Sequence, residues 1–281
     1  MRVFSSVNSL QEYLSRCREL GETIAFVPTM GGLHDGHLQL ISKAKSCADV
    51  VVASIFVNPT QFAPHEDLDN YPHSPEADKK GLMDRGADVL FMPSVEQVYP
   101  GQPVSDYQVG EMATLLCGKS RPIHFDGVAQ VVSRLFDIVE PNVAIFGEKD
   151  YQQLQIIKQL VKRQNRKIMI DSIGIVRESD GLAMSTRNKY LNADERRLAP
   201  SFHQSLRLAQ IDFEQGAALS EIVNKAKLFL SQSFELDYFE ILDANTLTQI
   251  TTSTADVIIV SAVKLGVTRL IDNIVFRRSN V

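Results

Sequence analysis

Apolar residues in the first half of the chain fall into short dense runs separated by longer amphipathic ones. Ile24–Val27, Val50–Val57, Val89–Met92 and Val143–Phe146 are rich in β-branched and aromatic residues and read as strands. Leu38–Ala48, Pro75–Arg85 and Val128–Val139 read as helices between them. Asp150–Gln164 reads as a further helix, with Leu154, Ile157 and Val161 along one face, and Ile168–Ile170 and Ile173–Val176 follow as strands. This alternation predicts an α/β fold, a parallel sheet with helices on both faces. From about Val176 the pattern changes. Asn192-Ala193-Asp194-Glu195 has the form of a capping box. Helical segments around Leu198–Ile211 and Leu219–Ser233 follow, and Pro200 should kink the first or delay its start. Three strands then close the chain, Leu236–Leu242, Val257–Val263 and Thr268–Ile274. The expectation is an α/β domain over residues 1–175 and a smaller α+β domain over 176–281.

A length of 281 residues fits one large or two modest domains. With 44% hydrophobic and 22% charged residues the composition is that of a soluble globular protein. The net charge of −5 argues against a nucleic-acid or anionic-membrane surface, so an anionic substrate needs a local basic pocket. No apolar run reaches membrane-span length. Met1–Leu10 lacks a basic segment followed by an apolar core, which predicts no secretory signal. Cys17, Cys47 and Cys117 form no Cys-x-x-Cys pair and read as reduced thiols of a cytoplasmic protein.

The strand-like run at Val27 leads into Pro28-Thr29-Met30-Gly31-Gly32-Leu33-His34-Asp35-Gly36-His37, ahead of a helix. A strand, a glycine-rich turn and a helix N-terminus together form an anion site, and two imidazoles there can donate to charge developing on phosphorus. This is the pattern of the His-x-Gly-His nucleotidyltransferases. The bland alternative is a helix starting near Asp35 that carries two histidines. A metal reading of His34 and His37 lacks a third ligand at a recognisable spacing. Asn58 and Gln61, after the second strand, offer uncharged hydrogen bonding suited to a small hydroxy acid, or simply form an Asn-Pro turn. Gly147-Glu148-Lys149-Asp150 follows a later strand and opens a helix. Lys149 would carry charge to a triphosphate, Asp150 would accept from ribose hydroxyls, and Gln153 lies one turn on. Met184-Ser185-Thr186-Arg187 sets a hydroxyl beside a guanidinium, a small phosphate clamp similar to the Lys-Met-Ser-Lys-Ser loop of class I synthetases. Gly118-Lys119-Ser120 is not a P-loop, because position 113 is Ala, not Gly.

Together these segments resemble the pantoate–β-alanine ligase (pantothenate synthetase) family. The matching stretches are Pro28–His37, Asn58–Phe62, Arg121–Val128, Phe146–Leu154, Val176–Asn188 and Thr268–Asn273, nearly the whole chain. The resemblance implies a Rossmann-like parallel sheet flanked by helices, a C-terminal lid and a homodimer. It implies an ATP- and Mg2+-dependent ligation of pantoate and β-alanine through a pantoyl adenylate. By position, His34 and His37 contact the ATP phosphates, with Lys149 as a further catalytic group. Lys149, Ser185 and Arg187 hold phosphates, and Gly147 and Asp150 hold ribose. Met30, Val176, Met184 and Thr186 complete the ATP contacts. Gln61 and Gln153 bind pantoate with help from the Met30 backbone, Pro28 and Phe146 pack on its methyl groups, and Asn58 lies near β-alanine. Asp78 alone remains of the family's acidic magnesium segment, where Ala77 and Gly81 depart from the pattern. Ile123 stands where the family has glycine. The rival readings are a nucleotidyltransferase that adenylylates another small acid or cofactor precursor, which would not need Asn58, Gln61 and Gln153 together, and a non-catalytic nucleotide-binding module.

Overall fold

The computed structural model describes residues 1–63, 66, 68, 71, 72, 74–101 and 109–278. They form two compact units. The first comprises Met1–Thr114, Arg121–Glu148 and Gln153–Gly174. The second takes Ile175 onward, together with Leu115–Ser120 and Lys149–Gln152, which lie within the stretch expected to be the first domain.

The first unit is built on six parallel strands: β1 (Arg2–Phe4), β2 (Ile24–Thr29), β3 (Val50–Ile55), β4 (Val89–Phe91), β5 (Val143–Gly147) and β6 (Met169–Ile173), in the order β1-β4-β3-β2-β5-β6. The central strands β2, β3, β4 and β5 read as near-continuous apolar runs because both faces are covered. On one face Ile24, Phe26, Val52 and Phe91 pack with Leu10, Leu14, Val132, Phe136, Leu154 and Ile157. On the other, Ala25, Val27, Val51, Leu90 and Ile145 pack with Leu40, Ile41, Ala44 and Leu82. Each fully buried Phe or Leu contributes roughly 1.5–3 kcal/mol.

The chain leaves β2 toward β3 and leaves β5 toward β6, so the order reverses between β2 and β5. Ligands of open α/β sheets bind outside the carboxyl ends of the strands at such a point. The β2–β5 ladder stops at Phe26 opposite Ala144, while β2 continues against β3 to Thr29 and β5 continues against β6 to Gly147. Pro28 has no N–H to offer a second neighbour, and it pairs only with Ser54 of β3. The two central strands therefore part at their carboxyl ends and open a crevice.

Several elements differ from expectation. β1 and the helix Val7–Glu19 have no counterpart in the sequence reading. The expected strand pair at 168–176 is the single strand β6, because β5 offers partners only as far as Gly147. In the second unit Pro200 separates a short helix, Ala193–Leu198, from Pro200–Glu214, where it occupies the first turn that tolerates a missing N–H. Asn192 and Glu195 form the expected capping box.

The second unit continues with the helix Leu219–Leu230 and an antiparallel sheet, β7 (Glu235–Asp243), β8 (Asp256–Leu265) and β9 (Thr268–Arg277), with β8 central. Phe202, Leu206, Ile222 and Leu230 from the helices meet Phe239, Val257, Ile259 and Val263 in its core. Among the described residues no helix is long and apolar enough to cross a membrane.

Candidate active site

After Thr29 the chain must turn sharply into the helix Asp35–Lys45. Gly31 (φ +88°) and Gly32 (φ +62°) make the turn in conformations that disfavour any side chain. A Cβ on Gly31 would also lie 3.0 Å from Ile55 and 3.3 Å from the Asp78 carboxylate. His34 is the N-cap of the helix. Its Nδ1 accepts from the Gly36 N–H at 3.1 Å, and His37 Nδ1 accepts from the His34 N–H at 3.3 Å. This is a reciprocal capping box in which imidazoles do the work usually done by Ser and Glu. The helix does start at Asp35, as the bland reading had it, yet its cap fixes the chemistry of both rings. An Nδ1 that accepts cannot carry the proton, so each neutral ring bears its proton on Nε2. The ring centroids are 4.1 Å apart, so the two histidines act from one place.

Asp78, on the helix Pro75–Asp84, is buried, and its two oxygens accept from Gly32 N–H and Leu33 N–H, each at 2.8 Å. It holds the glycine turn from behind. Among the described residues no group of three or more His, Cys, Asp or Glu side chains is placed to hold a metal. Each Asp78 oxygen accepts one main-chain N–H, so the carboxylate has a structural task whether or not it also meets magnesium. Gly81 on the same helix has a packing reason, since a Cβ there would press on Leu38 at 3.2 Å. Lys79 and Lys80 pair with Glu76 and Asp84 on the exposed side of this helix.

Asn58 and Gln61 come after β3, at either end of the short turn Pro59–Gln61. Asn58 is almost wholly buried, and its amide is spent internally. Its Oδ1 accepts from Thr60 and from the Tyr99 hydroxyl at 3.0 Å. Its Nδ2 donates to Gly127 O at 3.1 Å and Gln61 Oε1 at 3.2 Å. The amide of Gln61 is thereby oriented, with its Nε2 3.1 Å from Met30 Sδ. Asn58 thereby braces the turn and the Gln61 amide. A Cβ on Gly127 would lie 2.4 Å from Thr60 O, so only glycine lets the helix His124–Val139 approach this turn. Ile123 precedes that helix at φ −93°, a conformation ordinary for isoleucine, so replacing the family's glycine strains nothing there. Arg121, in the same stretch, forks onto Glu66 at 2.6 and 2.8 Å. Sequence reasoning missed the bonds of Asp78 to the glycine turn, and it missed Tyr99 and Gly127. The only signal for the last was its place in a matched stretch.

Phe146 is buried near the end of β5, and Gly147 follows with open space where a Cβ would be. Gln153 lies on the helix Tyr151–Arg163.

In the second unit Lys149 and Asp150 lie in the turn before that helix, and the Lys149 carbonyl accepts from Asn273 Nδ2 at 3.2 Å. Val176 O accepts from Met184 N–H at 2.9 Å, closing a small loop about Gly181 (φ +94°). Ser185 caps the turn Thr186–Tyr190, its Oγ accepting from Arg187 N–H at 3.3 Å, and Thr186 is buried. Cys117–Ser120 is a single helical turn, where Ser120 Oγ donates to Asp237 at 3.1 Å, so it is no phosphate loop.

A doubly wound parallel sheet with two imidazoles capping, through accepting Nδ1 atoms, the helix after its central strand is the framework of an enzyme that works on nucleotide phosphates. The family model described as pantoate-beta-alanine ligase matches residues 2–275. Pantothenate synthetase of Ruthia magnifica subsp. Calyptogena magnifica is 51% identical, with 92% of each chain covered, and that of Acinetobacter baylyi 47%, with 98% of each covered. Among solved structures, pantothenate synthetase from Thermus thermophilus superposes with a TM-score of 0.90 at 39% identity, covering 98% of this chain and 99% of that one. The Francisella tularensis pantoate-beta-alanine ligase complexed with beta-gamma ATP and beta-alanine gives 0.83 at 36% identity, covering 100% and 99%. The chain belongs to the pantoate–β-alanine ligase family.

Proposed function

We propose that this protein joins pantoate and β-alanine at the expense of ATP, releasing pantothenate, AMP and pyrophosphate. The family match across residues 2–275 carries the reading. In the first step a pantoate carboxylate oxygen attacks the α-phosphorus, and the bond to the bridging oxygen breaks as pyrophosphate leaves. In the second the β-alanine amine attacks the acyl carbon of the pantoyl adenylate. AMP departs with the electrons of the acyl–oxygen bond, and the nitrogen loses a proton.

Two anions meet in the first step, so most of the catalysis is charge neutralisation and positioning. His34 and His37 present Nε2–H donors to the phosphates, and the helix N-terminus adds its dipole. Lys149, Ser185 and Arg187 bind the phosphates, Gly147 and Asp150 the ribose, and Met30, Val176, Met184 and Thr186 the rest of ATP. Gln61 and Gln153 bind the hydroxyls and carboxylate of pantoate, while Pro28 and Phe146 pack on its methyl groups. Asn58 lies near β-alanine and, with Tyr99, keeps Gln61 aimed. The nucleotide is taken as its magnesium complex, the protein works in the cytoplasm, and it assembles as a homodimer. All three are expectations from the family.

The test is AMP release with ATP, magnesium and pantoate, with and without β-alanine, and identification of the product by mass. AMP release that needs both acids, with pantothenate formed, is the expected result. Pyrophosphate exchange with a different acid, and none with pantoate, overturns the substrate and restores the nucleotidyltransferase alternative.

A further inference from the structure

Two of the matched stretches, Val176–Asn188 and Thr268–Asn273, contain an arginine and an aspartate with no role in the chemistry above. The structure joins them. Asp272 on β9 is 2% exposed, and Arg177 forks onto it, Nη1 to Oδ2 at 2.8 Å and Nη2 to Oδ1 at 2.9 Å. His203 Nδ1 lies 3.1 Å from Oδ2, and the Asn273 N–H donates to Oδ1 at 2.7 Å. Burial alone would raise the Asp272 carboxyl, but the hydrogen bonds from His203 and Arg177 and the arginine's charge outweigh it and hold the group below the usual carboxylate range.

A buried ion pair adds little net stability compared with apolar packing of the same volume. What this one fixes is geometry. Arg177 Nη1 also reaches Gly181 O at 3.1 Å, and Arg177 pairs with Ala183 across the small loop. Ala183 O in turn accepts from Asn188 Nδ2 at 3.1 Å. The fork therefore sets the loop from which Ser185 and Arg187 emerge. The neighbouring residue on β9 does the same for a second segment, since Asn273 Nδ2 donates to the Lys149 carbonyl at 3.2 Å. One dipeptide of β9 thus anchors both of the second unit's proposed phosphate-binding segments.

We propose that Asp272 and Asn273 are positioning residues for adenylation: Asp272, through Arg177, places Ser185 and Arg187, and Asn273 places Lys149. The inference rests on the reading that these three residues hold the ATP phosphates. A small displacement of a positioned group costs up to about 10²-fold in rate. Arg177→Lys keeps the charge but loses the fork, and Asn273→Ala removes the bond to Lys149.

The experiment measures pantoate-dependent ATP–pyrophosphate exchange and KM for each substrate in the full-length enzyme. The variants are Arg177→Lys, Asn273→Ala, Lys149→Ala and the Lys149→Ala/Asn273→Ala double. Lys264→Ala, which breaks an exposed ion pair with Glu235 on the same sheet, is the control. Folding is checked by circular dichroism. We expect exchange to fall roughly 10- to 100-fold in Arg177→Lys and Asn273→Ala, with KM for β-alanine within about twofold and the control unchanged. If Asn273 acts through Lys149, the double variant is no slower than Lys149→Ala alone. Folded Arg177→Lys and Asn273→Ala enzymes with wild-type exchange overturn the proposal, as does a double variant whose losses multiply. Should Arg177→Lys fail to fold, Asp272→Asn takes its place, and should Asn273→Ala fail, Asn273→Asp, which also loses the donor to the Lys149 carbonyl, takes its place. Wild-type exchange by Lys149→Ala is a different failure, since it removes Lys149 from the ATP site and leaves Asn273 nothing to position.

Discussion

A histidine that caps a helix through Nδ1, and that we propose works on phosphate through Nε2, has two jobs on two atoms, and the jobs can be separated. Asparagine is a good N-cap and supplies an acceptor oxygen, but it has no donor where Nε2 lies. His34→Asn is expected to keep thermal stability close to wild type while adenylation falls about 10²–10³-fold. His34→Ala loses the same activity and about 1 kcal/mol of stability besides. Equal melting temperatures for the two variants would show that the cap observed at Gly36 contributes nothing. Asp78 is separable in the same way. Asp78→Asn turns one acceptor into a donor facing a main-chain N–H, so the Gly32–Leu33 turn loses a bond it needs. Leaving that buried N–H unsatisfied costs about 1–3 kcal/mol. The expected outcome is a roughly tenfold lower kcat, with the magnesium concentration for half-activation unchanged. A large rise in that concentration, with kcat restored at saturating magnesium, would return Asp78 to the metal.

At the scale of elements, the close approach of the helix His124–Val139 to the turn Pro59–Gln61 decides whether Gln61 is aimed. Gly127→Ala inserts a methyl 2.4 Å from a carbonyl oxygen that cannot yield without moving the turn. Overpacking of this kind costs about 1–3 kcal/mol. Melting should fall by several degrees, and KM for pantoate should rise more than KM for ATP. Equal rises in both would detach Gly127 from Gln61. The elements themselves were legible where burial writes a pattern: β2, β3 and β5 are apolar on both faces, and Asn192, Pro200 and the glycine turn carry local stereochemistry. β1 escaped because three residues at a sheet edge make no period, although Leu10, Leu14 and Cys17 give the following helix a recognisable buried stripe. The contacts of Asp78 and Asn58 with Gly32 and Gly127 were not legible, since these partners lie 46 and 69 residues away and no spacing rule connects them.

For the whole molecule, the second unit is discontinuous in sequence, and that has a measurable consequence. Gln152 donates to Leu115 O at 2.8 Å and accepts from Cys117 N–H at 3.2 Å, joining the two early segments to each other. Ser120 and Lys149 then bond to Asp237 and Asn273 of the sheet. Tyr238 on β7 records the arrangement. Burial pushes its phenol well above the ordinary tyrosine range, and the neighbouring Cys117 adds to the effect while Arg269 opposes it. A fragment of residues 175–281 keeps the helices and all three strands but lacks the segment bearing Cys117. It contains only two tyrosines, Tyr190 and Tyr238, so ultraviolet titration can follow them. Tyr238 should ionise at lower pH in the fragment than in the full-length protein, and the fragment should melt below the full-length chain. In the full-length protein Tyr238 should resist ionisation to higher pH than in the fragment. A phenol that stays protonated in the fragment through the same pH range would mean that residues 175–281 bury Tyr238 by themselves, and that the early segments add no shielding.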